Sequence, residues 1–409
     1  MDTQRASLPD RRRQSQVPFF RPSLGEEEIR QVVAVIRSGW LSSGAQVEQF
    51  EREVRAFLQC RYAVATNSCT AAMDLALKAI GIKPGDEVIT SPITFPATAN
   101  VVLHQGATPV FADVEADTLT LDPEAVARAI TRRTRAIMPV HFAGHPCRMA
   151  ELRAIARRHD LWVVEDAAHA FGAFYKKRAI GAAGDLTCFS FYATKNITTA
   201  EGGMITTNNA RCARMVRLLR LHGISRDAYQ RSRHQRYRHW EAVAPGFKYN
   251  LNDIQAAIGR VQLRRWDSFR KRRQVIWEKY MRGLQGIPEL RLPVIRPEVT
   301  HAYHLYVVQF DTQRLRVSRE QIMRLLEEEH IGIGIHFRAL HLQQFYRKRF
   351  GYTRGMFPVA ERASERVISL PLYPGMTQRA LTQVMSAVIR VIERCRRRAV
   401  RPGRGTAHV

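Results

Sequence analysis

Lys195 lies in SFYATKNITTAEGG, residues 190–203, where the only other charge is Glu201. It follows the apolar run DLTCFSF and precedes a polar turn ending in two glycines. An amine at the end of a buried strand is desolvated, which lowers its pKa, and a neutral amine can form a Schiff base with a carbonyl. Two other strand ends carry chemistry. In VVEDAAHA, Asp166 closes a very apolar run and is followed by two alanines and His169. A buried carboxylate there requires a cation or several donors. In NSCT, residues 67–70, a strand gives way to a helix whose first turn holds small residues. Free amides at that helix start, with the Thr70 hydroxyl, suit a phosphate. Each feature taken singly also has an ordinary reading: a buried lysine, a strand-end acid capping the next helix, a core histidine, a Ser/Thr N-cap.

The combination is more specific. Amine, acid without a visible cation and anion cradle all fall at strand ends, and pyridoxal phosphate answers all three. Its phosphate takes the helix N-terminus, its ring nitrogen becomes the cation beside Asp166, and its aldehyde condenses with Lys195.

These groups must be positioned by a layered α/β fold. From about residue 62 to 207, the runs YAVAT, EVITSP, TPVFADV, AIMPVHF, LWVVEDA and LTCFSF alternate with helix-like segments such as TAAMDLALKAI and MAELRAIARRH. Near-continuous apolar strands between helices predict a mostly parallel sheet, with ligands beyond its carboxyl ends. Upstream, Ser23 and Glu26 have capping-box spacing before Ile29, Val32, Val33 and Ile36, which recur at helical intervals. SGWLSSG, residues 38–44, breaks that helix, and the next carries Val47, Phe50, Val54 and Phe57 on one face. After NDIQAAIGRVQLRRW a long helix should lead away to a smaller C-terminal α/β domain, with strand-like runs YHLYVVQF and IGIGIHF and helices near 318–328 and 377–394. The expected division is a flexible head (1–18), a large domain (19–280), a small domain (281–395) and a basic disordered tail (396–409).

The chain has 409 residues, enough for such a two-domain core, and 45% apolar content excludes wholesale disorder. No apolar run approaches a bilayer span, and the charged N-terminus lacks an apolar h-region, so a cytoplasmic protein without membrane partners is expected. Six scattered cysteines without a C-x-x-C pair predict reduced thiols and no metal site. The net charge of +27 is spread over the head, the tail, SRDAYQRSRHQRYRHW and RRWDSFRKRRQ. In the last, Arg264, Arg265, Arg270, Arg272 and Arg273 alternate with Trp266, Phe269 and Ile276, which reads as a helix with a solvated arginine face. No nucleic-acid partner is expected from so dispersed a charge, although a basic surface attracts phosphorylated or nucleotide-bearing substrates.

Seven blocks occur in order: NSCTAAMDLAL, GDEVITSPITFPATANVV, EDAAHAFGAFY, SFYATKNITTAEGGMITT, LRLHGISRDA, PGFKYNLNDIQAAIGRVQL and FPVAERASERVISLPLYPGMT. Across about residues 18–395 the chain resembles the DegT/StrS family of pyridoxal-phosphate sugar aminotransferases, nearest the branch acting on UDP-linked 4-keto sugars of the UDP-4-amino-4-deoxy-L-arabinose type. The resemblance implies the fold-type-I transferase fold, a homodimer with active sites at the subunit interface, L-glutamate as amino donor and a nucleotide-linked keto sugar as acceptor. By position, Lys195 would bind the cofactor and then act as the base, Asp166 would pair with the pyridine nitrogen, and His169 would sit by the ring hydroxyl. Cys69 (through its backbone), Thr70 and Ser190 would hold the phosphate, and Asn250 would reach it from the neighbouring subunit. Phe95 and Ala168 would cover the two ring faces. Trp40, Leu41, Ser42, Tyr192 and His336 would line the sugar side. Relatives that dehydrate sugars carry histidine in place of Lys195, so the lysine favours transamination. Tyr192, where several members have histidine, and Pro96, where valine is more usual, distinguish this chain near the pocket.

Three rival readings differ in what they require. A nicotinamide dehydrogenase needs a G-x-G-x-x-G after an early strand, which is absent. A pyridoxal-phosphate sugar dehydratase or other lyase shares the cofactor residues but would not turn glutamate into 2-oxoglutarate. A basic, non-enzymatic nucleic-acid-binding or regulatory protein would be colourless and indifferent to loss of Lys195.

Overall fold

The computed structural model describes residues 16–225 and 239–400, with side chains through Arg396. Most of the expected head, the end of the tail and most of SRDAYQRSRHQRYRHW fall outside those residues.

The strands are β1 (Tyr62–Thr66), β2 (Glu87–Thr90), β3 (Thr108–Phe111), β4 (Thr134–Met138), β5 (Trp162–Asp166), β6 (Phe174–Tyr175), β7 (Arg178–Ala179), β8 (Leu186–Ser190), β9 (Gly203–Thr207), β10 (Leu290–Arg291), β11 (Val299–Thr300), β12 (Tyr306–Phe310) and β13 (Val367–Leu370). A seven-stranded sheet runs β1-β9-β8-β5-β4-β2-β3. Only β9 runs against its neighbours; the other pairings are parallel. Successive side chains alternate between two buried layers, as the two-residue strand period demands. Ala63, Ile89, Ile137, Val163 and Phe189 face the layer containing helices Ala45–Leu58 and Met149–Arg158. Val64, Val88, Ala136, Val164 and Cys188 face helices Cys69–Ala79, Pro96–His104 and Ala210–Leu219. Burial on both faces is why the sequence shows continuous apolar runs rather than alternation.

A second sheet, β10-β12-β13, is antiparallel. Its core joins Tyr306, Phe310 and Ile368 to Ile276, Trp277 and Tyr280 of helix Trp266–Leu284, to Leu326, and to Val17 from the N-terminal segment. β6, β7 and β11 form a small separate sheet. Among the described residues no helix is long and apolar enough to cross a membrane, and all six cysteines are buried and form no disulfide.

Three local expectations are corrected. The first helix, Glu26–Ser38, starts at Gly25, whose amide donates to Glu28 at 2.9 Å; the Ser23–Glu26 box does not form. Glu28 is drawn there by Gln262 at 2.7 Å and Arg265 at 2.6 Å, contacts no local pattern encodes. The long helix expected after NDIQAAIGRVQLRRW is present as Trp266–Leu284, which follows the shorter helix Asp253–Arg264, the two meeting at Arg265. IGIGIHF forms no strand, only bridges from Ile331 to Val17 and from Gly334 to Ser369. Its glycines lie against other groups instead: a Cβ on Gly332 would come within 2.5 Å of the Phe19 nitrogen. Finally, Arg273 is not solvated. It is 1% exposed and donates to the carbonyls of Tyr303, His304 and Leu372 at 3.4, 3.3 and 3.0 Å.

Candidate active site

The parallel strands β1, β2, β5 and β8 end at one edge of the sheet, and antiparallel β9 begins there. Gly203, the first residue of β9, is in register with both Thr66 and Ser190. Beyond this edge lies a cavity of about 380 Å³, within the range of small-molecule sites. Lys195, Asp166, His169, Cys69, Thr70, Phe95, Ala168, Ser190, Tyr192 and His336 all line it.

Cys69 and Thr70 are the first two residues of helix Cys69–Ala79, capped by Ser68, whose hydroxyl accepts the Ala71 amide at 3.1 Å. Amides at that position have no carbonyl within the helix to meet. β9 packs hard against this turn: a Cβ on Gly203 would lie 2.4 Å from the Ser68 carbonyl carbon and 2.7 Å from the Cys69 nitrogen. Only glycine permits the approach.

Asp166 is 5% exposed, and its carboxylate accepts from Thr98 Oγ1 at 2.7 Å and from the Ala168 amide at 3.1 Å. Among the described residues no ion pair is recorded for it. Burial lowers the Lys195 pKa to about 8, with the neighbouring Cys69 and Asp166 side chains acting the other way. At pH 7 about a tenth of such an amine is neutral, far more than for a solvated lysine. Burial and the Lys195 charge hold His169 well below the usual histidine range, and His336 is pushed down to about 4 for the same two reasons. The Ala143 amide donates to His169 Nδ1 at 3.3 Å, so the neutral ring carries its proton on Nε2. Phe95 is 62% exposed and Tyr192 46%, both large surfaces left facing a ligand volume.

The donor set fits pyridoxal phosphate: a helix start closed by a glycine for the phosphate, a buried acid with donors but no cation for the ring nitrogen, and an amine with a lowered pKa for the aldehyde.

Trp40, Leu41, Ser42 and Asn250 do not line this cavity within one chain. They gather beside it in a cluster of their own. Asn250 Nδ2 donates to Ser43 Oγ at 2.7 Å, Trp40 Nε1 to the Ser43 carbonyl at 3.1 Å, and the Asp253 amide to the Ser42 carbonyl at 3.2 Å.

The sequence reading missed Thr98, His304, Phe337 and Gly203. Gly203 had a signal in the paired glycines after Lys195, and Thr98 lies in the ITFPAT block. His304 and Phe337 are brought in by the C-terminal part of the chain, which no strand-end rule reaches.

This fold and this site define a pyridoxal-phosphate-dependent transferase of fold type I. Residues 22–389 match the DegT/DnrJ/EryC1/StrS aminotransferase family, and the chain belongs to it; the family is pyridoxal-phosphate-dependent. The spore coat polysaccharide biosynthesis protein SpsC of Bacillus subtilis is 47% identical over 378 residues, covering 92% of this chain and 97% of SpsC. Among solved structures, the putative sugar aminotransferase Spr1654 of Streptococcus pneumoniae superposes with a TM-score of 0.87 at 32% identity, covering 93% of this chain and all of that one; it has been solved in PMP and PLP forms. DesI, solved in the presence of its TDP-sugar product, gives a TM-score of 0.84 at 29% identity, covering 94% of this chain and 95% of that one.

Proposed function

We propose that the protein moves the amino group of L-glutamate to a keto group of a nucleotide-linked sugar, a UDP-4-keto sugar, for a surface polysaccharide, lipid A or a secondary metabolite. The observation that carries this reading is the convergence of Lys195 and Asp166 on one cavity beside the Cys69–Thr70 helix start. The nucleotide-linked sugar is supported by likeness to DesI, and the polysaccharide setting by likeness to SpsC.

When bound, pyridoxal phosphate supplies an aldehyde for amine exchange and a ring that stores an electron pair. The chain's residues do the rest. The amides of Cys69 and Thr70, with the Thr70 and Ser190 hydroxyls, would bind the phosphate. Asp166 would keep a proton on the ring nitrogen, and His169 would donate from Nε2 to the ring oxygen. Phe95 and Ala168 would cover the ring and exclude water from it. Lys195 would be the base that moves a proton between substrate and cofactor carbons, and one amine would serve both halves because each asks for a 1,3-shift on the same side. Tyr192 and His336 face the sugar. In a homodimer Asn250 and the Trp40–Ser42 loop, already gathered together, would complete the neighbouring copy's site.

Borohydride treatment of the yellow holoprotein should fix the cofactor to the peptide containing Lys195, and glutamate with a nucleotide-linked 4-keto sugar should release 2-oxoglutarate. Label on another peptide rejects the role of Lys195. Colour and label without 2-oxoglutarate would point to a dehydratase or lyase instead.

A further inference from the structure

The cavity wall also includes Phe19 and Phe20, brought there by an N-terminal strap that runs beside the chain leading to His336. The Val17 amide donates to the His330 carbonyl at 3.0 Å, and the Gly332 amide donates to the Val17 carbonyl at 2.8 Å. Val17 is buried and anchors the strap in the core of the small sheet, where Phe20 packs as well. Phe19 packs instead on the cluster that contains Phe142 and Leu340, and is only partly buried there.

Two glycines let the strap close on this segment. A Cβ on Gly332 would meet the Phe19 nitrogen, and one on Gly334 would lie 3.0 Å from both Phe19 Cζ and His336 Cε1. The Gly334 amide donates to the Ser369 carbonyl at 3.1 Å, and its carbonyl accepts the Ser369 amide at 2.8 Å. Ser369 is buried in β13, and its hydroxyl lies 2.8 Å from His336 Nδ1. One hydrogen bond sets the plane of an imidazole only loosely, because the second side-chain torsion of histidine has a broad well. Phe19 supplies the missing restraint. Its ring stacks on His336 at 5.8 Å between centroids and 23° between planes, within the range of an offset pair. Phe337 and His169 meet the same imidazole edge-on, at 4.9 and 6.2 Å. His336 Nε2 has no recorded partner among the described residues.

We infer that Phe19 is a positioning residue for the sugar half-reaction, acting through His336: stacked on the imidazole, it fixes that ring at the cavity wall against Ser369 and keeps water off the stacked face. Anchorage of the strap is supplied by Val17 and Phe20, which leaves Phe19 to the imidazole. A ring needed for packing alone would be covered, whereas Phe19 keeps part of its surface on the cavity. The contact joins the start of the chain to a residue more than 300 positions later, so no local pattern announces it.

The inference rests on the reading of His336 as a sugar-side residue, and its first readout needs no sugar. The full-length holoenzyme, labelled with 13C at histidine Cε1, is titrated by NMR, the His336 signal being assigned by its loss in His336→Asn. Lys195, His169 and His304 are the ionisable side chains coupled to this ring, and the variants leave all three in place. Phe19→Ala should let water reach the imidazole and raise its protonated-to-neutral ratio at a given pH by about ten-fold, one pKa unit of relieved burial. Phe19→Leu keeps an apolar cover and should stay within about three-fold of the parent. In turnover, Phe19→Ala should raise KM for a nucleotide-linked 4-keto sugar about ten-fold and KM for glutamate less than about two-fold. Gly334→Ala, which pushes the same two rings apart from the other side, should move both readouts in the same direction, and it decides the matter if Phe19→Ala fails to fold. An unmoved His336 titration, or equal rises in the two KM values, overturns the proposal. Absence of 2-oxoglutarate with the parent protein would remove the transaminase reading instead, while the titration would still show whether Phe19 holds the imidazole.

Discussion

Asp166 is oriented by neutral donors, and the nearer of them is itself held by a neighbour. Thr98 has one hydrogen and commits it to Asp166 Oδ2 at 2.7 Å, so the Thr94 hydroxyl, 2.7 Å from Thr98 Oγ1, must be the donor to Thr98. The carboxylate thus takes its orientation from the first turn of helix Pro96–His104. A hydrogen bond to a charged acceptor contributes about 1.5–3 kcal/mol. Thr98→Val keeps the shape and removes the donor, and pyridoxal phosphate should then bind about ten-fold more weakly or worse by fluorescence titration. Thr98→Ser should bind as the parent does. Equal affinity in all three proteins would mean that Asp166 needs no such support. Asp166 was legible from its strand, because a carboxylate closing VVED stands out among apolar neighbours. Thr98, 68 residues away in the chain, carried no signal of the pairing.

The elements show where local reading succeeds. Parallel strands buried on both faces write themselves as apolar runs, and YAVAT was bounded residue for residue as β1. β9 was not read as a strand, since GMITT opens with a glycine and its reversed direction is fixed only by lying between β1 and β8. The capping pattern near Glu26 was displaced by tertiary partners of Glu28, and Arg273 looked like a surface residue because burial of a guanidinium against backbone carbonyls has no sequence signature. The tight contact of β9 with the Ser68–Cys69 turn yields a test at this scale. Gly203→Ala places a methyl 2.4 Å from backbone atoms that cannot rotate away, so strand and helix start must separate. Overpacking of this kind costs about 1–3 kcal/mol. The variant should melt several degrees lower and lose affinity for inorganic phosphate, measured as competition with cofactor rebinding to apoprotein. A lower melting point with unchanged phosphate competition would show that Gly203 serves packing alone.

At the scale of the whole molecule the dominant property is charge. The chain has 64 Lys and Arg against 37 Asp and Glu, and many acids in the described residues are already paired, as in Glu51–Arg220, Glu53–Arg260 and Glu115–Arg296. The uncompensated excess is therefore basic, and a long-range positive field accelerates encounters with anions. The Debye length falls from about 30 Å at 0.01 M salt to about 10 Å at 0.1 M. If the acceptor substrate carries a diphosphate, kcat/KM for the sugar half-reaction should fall several-fold over that range. The half-reaction with glutamate, which has a smaller net charge, should fall less. Partly buried contacts around Asp166 and the helix start are screened little, so affinity for bound cofactor should hardly change. Parallel binding of single- or double-stranded DNA would separate the two uses of a basic surface. Salt dependence confined to the sugar substrate, with no DNA retention at 0.15 M salt, supports steering. Retention with a slope of many counterions, and a sugar rate indifferent to salt, would mean that the charge serves a polyanion instead.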